Sequence, residues 1–353
     1  MTNDRFYFRG NGENTAGDVH RSTSVFPPTY QMVYGALRSN WITQHGNLKD
    51  FKAGKYAEVI GTVKEPGDFQ LKGIYLAKNG EVYIPLPMDT QIREKNGQYV
   101  VKPLMLRKGN GFESDLAQYR FTAQNKGKSK DNQNFWLAIS ELNALYSNHE
   151  VQCLPLSAFV KPEAAIGIAL NRETSTVLDR MLYQYSGYYL SEGAELVIDM
   201  ELANELRYVK FGNKGIVWSI EQAVEYQEQI KQLRQLELDE AANYLRITTL
   251  TPSIITGYLF GKGFYRWNNK YKLVQAIIPR KEVLSGWNMA ENKPKPKLPV
   301  FRPGMTFIVE RRTDISLYEQ IKELEQIIHS DDQSEAGYGQ VMVTTYNPQL
   351  EQK

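Results

Sequence analysis

Five clusters in this 353-residue chain have side chains suited to holding phosphates and aromatic bases. The first is Gly337-Tyr338-Gly339. Glycines let backbone N–H groups approach a phosphate, and a tyrosine offers a stacking face. The same three residues also suit an ordinary turn after a helix. The second is His20, Arg21 and Arg38. Arginine bonds phosphate oxygens in pairs, or it makes a solvated salt bridge. The third is Arg172 and Thr174, with Asn171, Ser175 and Thr176, a polar loop able to clamp a backbone or simply to form a turn. The fourth is the basic run Lys126, Lys128 and Lys130, whose alternative is plain solvation. The fifth is Lys262 and Arg266 beside Trp267, a mixture of charge and aromatic surface that suits single-stranded RNA or a protein partner.

Other chemistries find less support. The histidines, His20, His45, His149 and His329, stand in unrelated contexts, and no carboxylates join them at metal-ligand spacing. Gly261-Lys-Gly263 lacks the spacing of a phosphate-binding P-loop, and no HExxH or nucleophile elbow occurs. The expectation is no catalytic residue, no metal and no cofactor. Cys153 is the only cysteine, which excludes an internal disulfide and a thiolate zinc cluster and fits a reducing cytoplasm. Met1–Arg5 opens without the apolar core of a signal peptide, and no run reaches the ~18 apolar residues of a membrane span. Net charge is only +2, so nucleic-acid binding would rely on local patches rather than bulk charge.

Several elements must position these residues. Arg5–Arg9 reads as a short strand. After a polar loop, Phe26-Pro-Pro28 is stiff and extended, and Thr29 is an N-cap candidate. Met32, Val33, Ala36 and Leu37 then make one apolar helix face, and Tyr34 and Arg38 share another. Gly73–Ala77 and Val82–Leu86 form a hairpin around Asn79-Gly80. Residues 89–134 read as irregular, and Asn134–Asn148 as helical through Trp136, Leu137, Ile139, Leu142 and Leu145. Strands follow at 165–170, 181–190, 195–200, 208–211, 216–219, 244–250, 271–278 and 305–310, with an amphipathic helix from Ala223 to Leu236. The Lys/Pro alternation of 292–299 is an extended connector. Ser316-Leu-Tyr-Glu319 is a capping box that opens a last helix, and Val341–Tyr346 is the last strand. A βα opening, an αβ close and hairpins between them predict an α+β fold of ferredoxin-like character.

Four segments together resemble one family. They are Phe26-Pro-Pro with Tyr34-Gly-Ala-Leu-Arg-Ser39; Ile166–Thr176 with Met181-Leu-Tyr183; Ser285-Gly-Trp-Asn288 with Lys293-Pro-Lys-Pro-Lys297 and Pro303-Gly304; and Gly337-Tyr-Gly339. In this order and spacing they resemble the RAMP-superfamily subunit of type III-B (Cmr-type) CRISPR effector complexes that grips the 5′ tag of the crRNA. The resemblance implies two ferredoxin-like (RRM-like) domains, residues 1–160 and 161–353, with an inserted irregular and helical region at about 50–155 and a thumb-like hairpin. It implies a cytoplasmic ribonucleoprotein of antiviral defence. Its partners would be the crRNA 5′ handle, the large polymerase-like subunit and neighbouring RAMP backbone subunits. The 337–339 turn would match a glycine-rich loop that lies against RNA. The role implied is RNA-binding and non-catalytic. The alternative is an endoribonuclease of the same superfamily, for which His20, Tyr34 and Lys49 are the only group that could share general acid–base work.

Overall fold

The computed structural model describes residues 4–10, 21–63, 65–108, 119–127, 129–170, 174, 176–202, 206–212, 215–258, 260–261, 263–288 and 291–348. The expected α+β class holds as a mixture of antiparallel sheets and a few helices. A seven-stranded sheet runs in the order Ala194–Glu201, Gln70–Lys78, Glu81–Pro85, Phe135–Ala138, Val151–Pro155, Gln98–Pro103, Thr90–Lys95. It draws strands from both sides of position 160, because Ala194–Glu201 pairs with Gln70–Lys78. A second sheet places Leu273–Ile277, Thr306–Glu310, Tyr244–Thr249 and Val341–Tyr346 side by side, all antiparallel. In chain order that is 2-3-1-4. A ferredoxin-like unit carries a helix in both of its crossovers. Here the helix Leu317–Gln326 fills the second, whereas the described residues of 250–272 hold only two-residue strands. Two complete ferredoxin-like units are therefore not matched helix for helix.

An antiparallel ribbon pairs Val160–Leu170 with Val177–Leu190, and Arg21–Thr23 lies parallel on its second strand. Among the described residues Arg5–Arg9 makes single bridges, Phe6 to Tyr188 and Arg9 to Ser24, rather than a ladder, while Phe6 and Phe8 bury their rings among Phe26, Phe211 and Trp218.

Two stretches differ from the sequence-based expectation. Phe135–Ala138 is a strand, not helix, and a short helix, Leu142–Tyr146, begins only after a 3₁₀ turn. All four strand residues are buried in mid-sheet, and a short fully apolar run carries no period that separates strand from helix. The supposedly irregular 89–134 region contains two hairpins, Thr90–Lys95 with Gln98–Pro103 and Met105–Lys108 with Tyr119–Thr122. The first turns at Asn96-Gly97, where both residues have positive φ, as they do at Asn79-Gly80.

The two sheets meet at a buried charge. Asp89, on the way into the first of these hairpins, has no exposed surface, and its Oδ2 lies 2.8 Å from Nε of Arg246 in the centre of the four-stranded sheet. The pair is in contact without hydrogen-bond alignment. Tyr146 and Tyr346 cover the guanidinium, 4.2 and 4.5 Å from their ring centres, and Thr306 Oγ1 donates to Asp89 Oδ1 at 3.2 Å. Met88 N–H donates to Gly304 C=O beside it. Removing one member of such a pair leaves a buried uncompensated charge. Asp89→Ala should therefore lower unfolding stability by about 3–5 kcal/mol in urea titration.

His329 is wholly buried, with Nε2 donating to Leu324 C=O at 2.8 Å and Nδ1 accepting from the Tyr265 hydroxyl. That tautomer is neutral. Burial pushes its pKa down from 6.5 to about 4. The unfolded chain then binds a proton that the fold refuses. Stability should be full above pH 6.5 and fall as the pH drops towards 4, by up to about 3 kcal/mol. His329→Gln should flatten this slope in unfolding curves taken between pH 4.5 and 6.5.

Candidate nucleic-acid interface

The helix Tyr30–His45 organises this region. Thr29 caps it in extended conformation, its Oγ1 accepting from Met32 N–H at 3.3 Å. Tyr30, Val33, Leu37 and Trp41 recur at spacings of three and four and are buried, so this stripe faces the core. Asn40 is buried as well. Its amide bonds the backbone of Lys210 in both directions, at 2.9 and 3.1 Å, and so ties the hairpin of Tyr208–Lys210 and Val217–Ser219 to the helix. Tyr34 stacks on Phe69 with ring centres 4.8 Å apart. Burial pushes the Tyr34 hydroxyl up to about 12.

Three of the four segments that carry the family resemblance meet on this helix. The turn 337–339 packs Tyr338 against Tyr30, 5.7 Å between ring centres, leaving the ring 1 % exposed. The connector comes alongside too: Gly286 lies against Gln31, and Lys295 N–H donates to Gly286 C=O. Lys295 is half-buried, and its ammonium is held below the ordinary lysine range, first by burial and then by the charge of Arg38. Glu335 and Asp332 pull it the other way. Arg38 lies 5.5 Å from the ring centres of Tyr34 and Phe51, and its Nη2 donates to Thr62 C=O at 2.9 Å. Its Nε is buried with no hydrogen-bond partner. Among the described residues neither Arg38 nor Lys295 makes an ion pair. Two cations whose charges oppose one another, and which Glu335 and Asp332 only partly offset, could accept an anion. On the same stretch of helix, Gly35 is exposed and a Cβ there would meet nothing within 4 Å. A sugar–phosphate backbone could approach this gap in the side-chain cover.

The turn itself corrects an expectation. Tyr338 has no free face on which a base could stack, because it is a wedge between the opening helix and the sheet. The turn's amides are also engaged. Gly337 N–H donates to Ser334 C=O, Tyr338 N–H to Gln333 C=O and Gly339 N–H to Pro252 C=O, so none is left for phosphate. Both glycines are demanded by packing. Their φ values are +85° and +81°, and a Cβ would lie 2.6 Å from Leu71 O at Gly337 and 2.7 Å from the His329 backbone at Gly339.

The remaining expected contacts are scattered. His20, Arg172, Lys128 and Lys262 lie outside the described residues. Arg21 is in the short parallel strand, opposite Gln184. Thr174 is exposed at the ribbon's turn, its hydroxyl 2.7 Å from that of Thr176. Lys126 is exposed, and Lys130 pairs with Glu94 at 2.7 Å and sits over Tyr99. Arg266 holds both oxygens of Asp331 at 2.8 Å and donates to Tyr258 C=O, so its fork is occupied. Lys295 was not among the expected contacts, although the Lys-Pro-Lys-Pro-Lys run that contains it belongs to the resemblance. Of the group considered for acid–base catalysis, His20 lies outside the described residues, no hydrogen bond joins Tyr34 to Lys49, and the Tyr34 hydroxyl is buried and unpartnered. No group of three or more His, Cys, Asp or Glu among the described residues could hold a metal, and no described helix is long and apolar enough to cross a membrane.

The glycines therefore separate by role. Gly35→Ala should raise stability by up to about 1 kcal/mol, since helical glycine is unfavourable and the site is open. Gly339→Ala should lower it by more than about 1 kcal/mol through strained φ and backbone overlap. Thermal unfolding of the two variants reads both signs.

A family model described as CRISPR-associated protein (Cas_Cmr3) matches residues 2–345. No curated protein matches the chain. Among solved structures, the chain is similar to one in the cryo-EM structure of the Type III-B Cmr-beta bound to cognate target RNA and AMPPnP. That match has 15% identity and a TM-score of 0.48, over 97% of this chain and 96% of that one. It is also similar to a chain in the structure bound to cognate target RNA alone, at 14% identity and a TM-score of 0.47, over 97% and 96%.

Proposed function

The chain belongs to the Cas_Cmr3 family of CRISPR-associated proteins, and from that premise we propose that it is a non-catalytic RNA-binding subunit of a type III-B effector complex that grips the crRNA 5′ handle. The observation that carries this reading is the pairing of Arg38 and Lys295 beside the bare helix surface at Gly35. Holding two cations near one another, with Glu335 and Asp332 offsetting the repulsion only in part, is unfavourable in the free chain. A phosphate between them would relieve that repulsion and satisfy the orphan Nε of Arg38. The scaffold is rigid where it needs to be, because Tyr338, Asn40 and Thr29 fix the helix from three sides. Bridging to the large polymerase-like subunit and to the RAMP backbone subunits completes the role.

Two measurements test it. Arg38→Ala and Lys295→Ala should each weaken handle RNA binding about tenfold, as loss of a charged hydrogen bond does. Each should also reduce the slope of log affinity against log salt by roughly 0.7. Zero-length crosslinking of the assembled complex should join the handle to the 30–45 helix and the 285–297 connector. A handle found only on other subunits, with both variants binding like the parent, would refute the assignment.

A further inference from the structure

Ala194–Glu201 is the edge strand of the seven-stranded sheet. Its ladder with Gln70–Lys78 uses one side of its backbone. On the other side, the backbone of Glu195–Asp199 receives no hydrogen bond from any described residue. A register shift follows at Asp199/Met200. An open edge is a template for another strand, and natural proteins usually cover or blunt it.

This edge is instead the floor of a cleft of about 1000 Å³. One wall is the opening helix with its attached hairpin, where Ala36 and Ile220 keep part of their surface exposed above the buried Val33, Leu37, Val209 and Trp218. The other is the helix Val224–Gln232 and its flanks, presenting Ala223, Val224 and Ile230. Side chains of an extended segment alternate between two faces. A strand laid on this edge would have an apolar wall on each side of it.

The charge left in the cleft has a sign. Lys72 pairs with Glu201, Lys231 with Glu228, and Arg234 with Glu325. Glu195, Asp199, Glu221 and Glu225 make no ion pair among the described residues, and the charges of Lys72 and Arg234, which pair elsewhere, only partly offset that of Asp199. Asp199 is half-buried between the walls, and burial holds its carboxyl above the ordinary aspartate range. A desolvated carboxylate without an ion-pair partner favours a cation brought to it.

We propose that Glu195–Asp199 is a strand-addition site, occupied by an extended apolar segment of a neighbouring protein subunit that carries a lysine or arginine opposite Asp199. The open backbone row specifies an extended polypeptide rather than a helix or a small molecule, and the carboxylates specify its charge. The inference rests on membership of a multi-subunit complex, but not on the RNA contact at Arg38 and Lys295, which lies elsewhere on the opening helix.

Amide hydrogen exchange on the full chain tests it in three states: alone, with handle RNA, and in the assembled complex. Outward amides of 195–199 should slow at least tenfold on assembly and stay unchanged with RNA alone. Asp199→Lys, and more weakly Asp199→Asn, should abolish that protection while leaving handle RNA binding at the parent level. The proposal is overturned by equal exchange in the free and assembled chain, by protection from RNA alone or from self-association of this chain, or by full protection in the Asp199→Lys complex. Loss of RNA binding by the parent would instead strike the handle assignment and leave this result standing.

Discussion

The ion pair of Asp89 and Arg246 is the constraint on which the arrangement of the two sheets depends. Both charges are out of water, so each needs the other and the polar groups around them. Asp89 comes from the crossover into a hairpin of the seven-stranded sheet, and Arg246 from the central part of the four-stranded one. Tyr146 and Tyr346 close over the guanidinium from the two sides of this junction. Such a pair adds little net stability compared with a well-packed apolar contact. What it does is penalise every arrangement of the two sheets that separates the charges.

A second junction is built from aromatic packing. The opening helix, the 285–295 connector and the 337–339 turn come from opposite ends of the chain. Tyr338 packs on Tyr30, Gly337 lies against the backbone of Leu71, and Gly286 of the connector lies against Gln31. The electrostatic consequence is local. Arg38 and Lys295 are brought near one another by packing that owes nothing to their charges, and Glu335 and Asp332 only partly offset their repulsion. A chain with a net charge of +2 can in this way present a concentrated positive spot.

Local signals in the sequence were legible where one residue type enforces one geometry. Thr29 and the Ser316/Glu319 capping box mark their helices as expected, and Asn79-Gly80 marks its hairpin. Asn96-Gly97 carries the same signal, inside a stretch whose polarity suggested no regular structure. Phe135–Ala138 was illegible because a strand buried on both faces has no polar alternation to reveal it. In the candidate site, Arg38 was visible from its helix position. Lys295 was hidden, since its neighbour is 257 residues away in the chain and its own run reads as solvated charge.

The sequence by itself determined the family, the capped helices, the Asn-Gly hairpins and the mixed class of the fold, because each depends on residues close together or on a pattern spread over the whole chain. Only the tertiary structure decided what the glycine turn does. Gly337-Tyr338-Gly339 has the composition of a phosphate loop, yet its amides bond Ser334, Gln333 and Pro252, and its tyrosine is buried on Tyr30. Whether a backbone N–H is free, whether two cations are neighbours, and whether a strand edge is covered are all properties of distant residues meeting. No local window of sequence contains them.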